Sequence, residues 1–139
     1  MTKLKFKKLT ENAYAPVQAH KGDLWDIRAS ETVCLTPYPK FVPTGLAFEI
    51  PEGCQLRIYN RSGNALKGVI LANSVGVIDT LYRGEVKGLF YSTYGDYTIN
   101  RGDKVMQMEL VRISDIELEE VAELSETDRG TDGFGSTGI

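Results

Sequence analysis

The sequence predicts an all-β fold that ends in a tail of different composition. Apolar residues recur at every second position, most clearly at Leu46, Phe48 and Ile50, which is the period of a strand with one buried face. Short apolar runs alternate with turn residues at intervals of roughly 8–12 residues, and helical spacing is scarce. Together these observations indicate a β-sandwich or a β-barrel.

The predicted strands follow in chain order from this alternation and from the turns that bound it. Leu4 and Phe6 alternate with lysines, as in a half-buried strand. A Pro-Glu-Gly turn at 51–53 closes the run that ends at Ile50, and an Asn-Arg-Gly-Asp turn at 100–103 introduces the last long run. The other β-branched or apolar runs lie at 56–58, 69–72, 75–78, 86–91 and 105–113.

Helical structure is predicted at few places. Residues 61–67 have the composition of one short helical turn. In residues 116–124, Leu118, Val121 and Leu124 are spaced at i, i+3 and i+6, which leaves a helix open. The β pattern of the rest of the chain favours a strand or an extended segment there.

The composition is that of one ordinary globular domain. The chain has 139 residues, 42% hydrophobic and 25% charged, which is enough for a core of its own. The net charge of −3 argues against direct nucleic-acid binding, which needs clustered lysine and arginine. We recognise no signal peptide and no apolar stretch of the roughly 18 residues that span a membrane, so we expect a cytoplasmic protein without membrane contact.

Two cysteines, Cys34 and Cys54, are too few for a disulfide framework, and we expect both to be reduced and buried.

We divide the chain into a β domain at 1–124 and a glycine-rich tail at 125–139. The composition of the tail is typical of a disordered terminus. Its glycines also leave backbone N–H groups accessible, and Arg129, Ser136 and Thr137 add side-chain donors. These groups are suitable for binding a phosphate chain, so the tail can also be a segment that becomes ordered over a ligand.

Residues 73–85 contain the clearest candidate functional side chains. Two strand-like runs flank a segment that carries Asp79 and Tyr82, which predicts a hairpin that presents a carboxylate and an aromatic ring to a flat ligand. A plain hairpin with solvated charges in its turn is the more common meaning of such a pattern.

Five segments resemble the five motifs of the trimeric dUTPase family, and they occur in the family's order. The strings GVIDTLYRGE at 76–85 and RGTDGFGSTG at 129–138 resemble the third and fifth motifs, which are the most specific. NRSG at 60–63 resembles the second motif, GDKVMQ at 102–107 the fourth, and WDIRA at 25–29, less closely, the first.

This resemblance implies a jelly-roll β fold and a homotrimer whose active sites lie at the subunit interfaces. It implies that a flexible tail closes each site. The implied activity is hydrolysis of dUTP to dUMP and pyrophosphate by attack of water on the α-phosphorus, with Mg²⁺ as cofactor, which keeps uracil out of DNA and supplies dUMP.

The resemblance also implies roles in nucleoside binding and catalysis. Asp79 would activate the water and touch the deoxyribose 3′-hydroxyl. Tyr82 would pack under the sugar and exclude a 2′-hydroxyl, and the amide of Asn73 would read the uracil edge. Gly76 and other backbone groups would complete base recognition.

The same resemblance implies a phosphate subsite. Arg61, Ser62 and Gly63 would hold the phosphate chain, and Gln107 would hold an α-phosphate oxygen or the water. Asp26 would accept hydrogen bonds from water molecules bound to Mg²⁺.

In the tail, the resemblance implies that Phe134 stacks on uracil. Gly135 and the donors Arg129, Ser136 and Thr137 would grip the γ-phosphate.

The chain departs from the family pattern at four positions. Leu81 stands where a second aspartate is usual, and Leu24 stands where a glycine is common. Asp132 replaces a glycine, and Asn64 replaces a commonly apolar residue. None of these departures removes the implied base, the uracil-reading amide or the phosphate donors.

Two alternatives stay open. A dCTP deaminase of the related fold would use a glutamate in the strand after the predicted hairpin, and residues 87–92 contain none. A regulatory nucleotide-binding trimer would keep the same motifs, so the sequence does not exclude an added signalling role.

Overall fold

The structure is a computed structural model that describes residues 1–136 and residue 138. In this part of the chain eleven strands and one short helix follow one another, which confirms the predicted all-β class. The strands are β1 (Lys5–Lys8), β2 (Trp25–Arg28), β3 (Val33–Leu35), β4 (Lys40–Pro43), β5 (Leu46–Glu49), β6 (Cys54–Tyr59), β7 (Val69–Leu71), β8 (Val75–Ile78), β9 (Lys87–Ser92), β10 (Tyr97–Ile99) and β11 (Lys104–Arg112). The helix α1 (Ser62–Leu66) lies between β6 and β7.

Two larger sheets and two strand pairs make up the fold. The four-stranded sheet has the order β2-β11-β6-β8 and the three-stranded sheet the order β4-β9-β7, while β1 pairs with β5 and β3 with β10. All these pairings are antiparallel. Strands β6 and β9 each bury every second residue, so one face of each is turned to the core. The largest fully buried side chains are Phe90, Ile27, Leu35, Leu46, Leu56, Ile58 and Met106.

Alternation located the core strands correctly. Leu46, Phe48 and Ile50 are each at most 3% exposed, and so are Leu56 and Ile58 of the next run. The helical turn predicted at 61–67 is confirmed as α1, which has five residues. Four short strands, β2, β3, β4 and β10, were not predicted.

The hairpin predicted around Asp79 does not form. Strand β8 pairs with β6, whereas β9 pairs with β4 and β7, so the two flanking runs belong to different sheets. The connection between them is fastened to the start of β5 instead. The backbone N–H of Val86 donates to the carbonyl of Leu46 (2.8 Å), and that of Gly45 donates to the carboxylate of Glu85 (3.1 Å).

Burial differs from expectation at two other places. All four residues of β1 are exposed, and Phe6 keeps 47% of its surface exposed although its ring lies 6.3 Å from that of Phe48. Cys34 is exposed because β3 turns its middle residue away from the core, whereas Cys54 is buried as expected. Both cysteines are free thiols.

Residues 113–124 are exposed and carry neither helix nor strand, which agrees with an extended segment. Across the described residues, no helix has the length and apolar character that crossing a membrane requires.

The packing around Gly88 gives a test of the core. A β-carbon at this buried position would meet the ring of Phe90 and would lie 2.7 Å from Sδ of Met106. We expect Gly88→Ala to lower the free energy of unfolding by about 1–3 kcal/mol through overpacking. Urea denaturation measures the change. Gly63→Ala is the matched control, because its added methyl group meets nothing within 4 Å; equal stability of both variants would contradict this account of the core.

Candidate active site

One face of the four-stranded sheet carries the side chains that the sequence singled out. The register places Val75, Tyr59, Gln107 and Asp26 opposite one another on the four adjacent strands. Successive residues of a strand point to opposite faces, so Val75 shares its face with residue 79, directly after β8. Asp79 therefore lies on the same face as Gln107 and Asp26.

The hydrogen-bond donors for which the motif resemblance implies phosphate binding lie where β6 ends and α1 begins. Arg61 has an extended backbone (φ −98°, ψ 145°) and precedes Ser62, the exposed first residue of α1. The guanidinium of Arg61 donates through Nη1 to the carbonyl of Lys104 (3.1 Å). The amide of Gln107 donates to the carbonyl of Asn60 (3.0 Å). These bonds join the end of β6 to the start of β11.

Asp26 lies between two cations. Its carboxylate oxygens are 3.5 Å from Nε of Arg61 and 3.4 Å from Nζ of Lys104. The Asp26 side chain is 14% exposed, and the two cationic side chains are about one-third exposed. Asp26 is also held by its backbone, which exchanges two hydrogen bonds with Val17.

This carboxylate is the one for which the motif resemblance implies a role at Mg²⁺. Its ion-pair distances are long, so lone pairs remain for water molecules. Among the described residues, no group of three or more His, Cys, Asp or Glu side chains is placed to hold a metal ion. The donor set therefore fits a magnesium ion that arrives with a triphosphate and keeps most of its water, and it does not fit a metal held by protein alone.

A cavity of about 360 Å³ adjoins this cluster and is strongly basic. Four cationic side chains line it, together with the carboxylate of Asp103. The cations are Arg28, Arg61, Lys67 and Lys104. Such a lining favours a polyanion.

Asp79 and Tyr82, for which the resemblance implies contacts with the sugar, form a second cluster at the far end of β8. Asp79 is exposed, and it lines a cavity of about 420 Å³ with Tyr82, Phe41 and Lys87. The turn is closed by a hydrogen bond from the N–H of Tyr82 to the carbonyl of Asp79 (3.0 Å). The guanidinium of Arg83 holds the same turn by donating to the carbonyls of residues 80 and 82.

Gly84 makes room for the Tyr82 ring. The hydroxyl of Tyr82 donates to the carbonyl of Glu85 (2.9 Å), which folds the ring back over the chain. A β-carbon at Gly84 would lie 2.5 Å from that hydroxyl oxygen and 2.6 Å from Cζ of the ring. The glycine of this motif therefore sets the orientation of the tyrosine.

Asn73 and Gly76 lie beside each other at the start of β8. Asn73 is in an exposed turn, and its Nδ2 is 3.8 Å from the place where a β-carbon of Gly76 would be. The turn also holds Ser74 at φ 63°, a left-handed conformation that is uncommon for a residue with a side chain. A β-carbon at Gly76 would also lie 3.2 Å from Cβ of Ile58, so the glycine allows β8 to approach β6 closely.

The two clusters lie at opposite ends of the sheet. Ile78 is opposite Leu56 on β6, and the hydroxyl of Thr80 bonds to the carbonyl of Cys54, where β6 begins. Arg61 follows the other end of β6. Six residues of strand separate the two ends, so Asp79 and Arg61 of one chain are about 20 Å apart. One chain thus holds two separate clusters.

The described tail residues make their hydrogen bonds within the tail. Every hydrogen bond that residues 125–136 and 138 make joins two residues of the tail, such as Nε of Arg129 to the carbonyl of Asp132 (2.8 Å). Phe134 is fully exposed at φ 52°, and Gly135 and Ser136 follow it in a turn. Thr137 lies outside the described residues.

Several site residues had no role in the interpretation of the sequence. Lys104 and Asn60 belong to quoted motifs, but only the structure shows what they contact. Phe41 and Lys87 belong to no motif, and they line the Asp79 cavity because β4 and β9 are neighbours in the second sheet. Leu81, which stands at the position of a usual aspartate, is 86% exposed.

A family model described as dUTPase matches residues 13–138. The deoxyuridine 5'-triphosphate nucleotidohydrolase of Clostridioides difficile is 42% identical over 144 residues, and the match covers 100% of both chains. The enzyme of the same name from Picosynechococcus is 41% identical over 140 residues and covers 97% of this chain and 98% of the relative.

Solved structures agree with these sequence relatives. The dUTPase of Staphylococcus bacteriophage 80alpha with dUPNHPP superposes with a TM-score of 0.89 at 30% identity, over 100% of both chains. A mutant dUTPase from phage phi11 of S. aureus, described with a structural Mg(II) ion, gives 0.80 at 30% identity and covers 88% of this chain and 98% of that one. The expected jelly-roll-like fold is confirmed by these neighbours.

The ion pairs of Asp26 can be tested without a ligand. Asp26→Asn leaves the cations Arg61 and Lys104 facing each other without a carboxylate. We expect the free energy of unfolding to fall by about 1 kcal/mol in low salt, and by less at high ionic strength. Urea titration at two salt concentrations measures this. The exposed Glu120→Gln is the control, and an unchanged stability of Asp26→Asn at low salt would contradict the assignment.

Proposed function

This chain belongs to the dUTPase family and is a dUTP diphosphatase, and from that membership we propose that it releases dUMP and pyrophosphate through attack of water on the α-phosphorus. The observation that carries the proposal is the gathering of Arg61, Gln107 and Asp26 beside a basic cavity that suits a polyanion. The reaction would keep uracil out of DNA and supply dUMP, and we assign it to the cytoplasm.

Asp79 is the proposed general base. Its carboxylate is exposed beside a cavity large enough for a nucleoside, so a water molecule can reach it. Tyr82 is held over Gly84 beside the same cavity, where its ring packs under a deoxyribose and leaves no room for a 2′-hydroxyl. Asn73 and the backbone at Gly76, at the start of β8, are proposed to read the uracil edge.

The phosphate chain is proposed to bind where β6 meets α1. Arg61 presents a guanidinium that matches phosphate oxygens, and Ser62 and Gly63 are exposed beside it. Gln107 comes from the neighbouring strand and orients an α-phosphate oxygen or the water. Fixed donors of this kind stabilise the charge that develops on the leaving pyrophosphate.

Magnesium is the proposed cofactor, and Asp26 is the residue that would hold its water shell. When bound, the ion supplies positive charge that offsets the triphosphate. Asp26 is kept in place by Arg61 and Lys104, so its carboxylate is oriented before the nucleotide arrives.

A homotrimer with shared sites is the proposed assembly. The base and the phosphate donors of one chain lie at opposite ends of β6, about 20 Å apart, which is too far for one nucleotide to reach both. A complete site then needs Asp79 from one copy and Arg61 from another. Such a head-to-tail contact forms a ring when its rotation closes, as in the proposed homotrimer.

The tail is the proposed lid. Its described residues make no hydrogen bond to the body of their own chain, and Phe134 is free to stack on a base elsewhere. Arg129, Gly135 and Ser136 would bind the γ-phosphate, and we propose the same for Thr137. A closed lid excludes water other than the attacking molecule.

Substrate choice tests the proposed function. We expect pyrophosphate release from dUTP to exceed that from dTTP, dCTP and UTP by about 100-fold or more, and to require Mg²⁺.

Asp79→Asn should lower kcat by about 10²–10⁴-fold, because the base is removed while the fold is kept. The exposed Asp96→Asn is the control. Ammonia release from dCTP would favour a deaminase, and full activity of Asp79→Asn would remove the assigned base.

Sharing of the site is tested by mixing two inactive variants. Asp79→Asn keeps the phosphate donors and Arg61→Ala keeps the base, so mixed assemblies contain some intact sites. After joint refolding at equal amounts, random assembly restores about a quarter of the wild-type activity. Each variant refolded alone is the control, and light scattering reports the number of copies. Persistent inactivity of the mixture would place the whole site within one chain.

A further inference from the structure

The helix that carries the phosphate donors is anchored by a polar side chain. Helix α1 has only one buried residue, Asn64, which is 7% exposed. No side-chain bond caps its first turn at Arg61. A helix of one turn has almost no stability of its own, so its orientation depends on what Asn64 contacts.

Asn64 donates two hydrogen bonds from one amide nitrogen. Nδ2 lies 2.9 Å from the carbonyl of Val105 and 3.2 Å from Oδ1 of Asn60. Oδ1 of Asn60 also accepts from the backbone N–H of Arg61 (2.9 Å), and Nδ2 of Asn60 donates to the carbonyl of Val69 (2.9 Å). We call the contact of Asn64 with Val105 and Asn60 the amide bridge.

The amide bridge ends at an irregularity in strand β11. The register between β11 and β2 shifts between Lys104 and Met106, which leaves Val105 as the extra residue. Bulged residues lose ladder partners and redirect the side chains that follow. Asn64 supplies a donor to the carbonyl of this buried residue, two positions before Gln107.

The amide bridge completes a closed loop of hydrogen-bonded residues beside the proposed phosphate subsite. Gln107 donates to the carbonyl of Asn60, Asn60 accepts from Asn64, and Asn64 donates to Val105 on the strand of Gln107. An apolar side chain at position 64 would fill space without a preferred direction. One hydrogen bond of Asn64 ties α1 directly to Val105 of β11, and the other ties α1 to Asn60, whose carbonyl accepts from Gln107 of β11.

We propose that Asn64 is a positioning residue for dUTP hydrolysis, which sets the separation between the donors Arg61 and Ser62 on one side and Gln107 on the other. The inference rests on the proposed function of these donors. Asn64 does not itself touch substrate, and it acts through the two elements that it joins.

Asn64→Leu is the direct test, because leucine has the same number and branching of side-chain heavy atoms as asparagine but donates no hydrogen bond. We expect kcat for dUTP to fall about tenfold, with KM changed less than about threefold, because misplaced donors lose transition-state contacts more than ground-state binding. Asn64→Asp also lacks the donor and serves as the second variant if the leucine protein does not fold. Ala65→Gln, exposed on the same helix, is the control.

A double-mutant cycle separates positioning from general damage. Because Asn64 acts partly through Gln107, adding Asn64→Leu to Gln107→Ala should lower kcat less than adding it to the wild type. Wild-type kcat and KM in both Asn64 variants, or equal losses in the two backgrounds, would overturn the proposal. Absence of dUTP hydrolysis by the wild-type chain would instead overturn the proposed function.

Discussion

The antiparallel register across β8, β6, β11 and β2 is the constraint on which the candidate site depends. Each of the three pairings sets which residue faces which, and together they bring Asp26 and Gln107 into one row. A slip of one residue in any pairing would turn that strand's side chains to the other face. The buried alternate residues of β6, such as Leu56 and Ile58, make a slip costly, so the core also holds the site in register.

The cationic side chains of the candidate site suit a polyanion, and a neighbouring carboxylate reduces the repulsion between them. Arg61 and Lys104 would repel each other if they faced a cavity alone, and the carboxylate of Asp26 lies between them. The carbonyl of Lys104 adds a neutral acceptor for the guanidinium. A phosphate chain can then exchange places with weak, partly exposed ion pairs, which costs less than breaking strong ones.

The separation of the two clusters along one sheet would give the proposed assembly a direct chemical role. A strand of six residues is rigid and long, so no side-chain motion brings Asp79 to Arg61 of the same chain. The cavity at Asp79 and the basic cavity at Arg61 have different linings, one partly aromatic and one cationic. Each cavity suits one part of a nucleotide, and in the proposed homotrimer a second copy would supply what the first lacks.

The sequence by itself determined the fold class, the core residues of β5 and β6, the turn residues and, through its motifs, the family. These are local properties, because alternation and turn chemistry are written within a few neighbouring residues. Tertiary structure alone decided that β8 and β9 enter different sheets, that Cys34 faces solvent, and that Asn64 bridges to Val105. Strand partners and buried contacts depend on residues far apart in the chain, and short strands such as β2 carry too little pattern to choose among them.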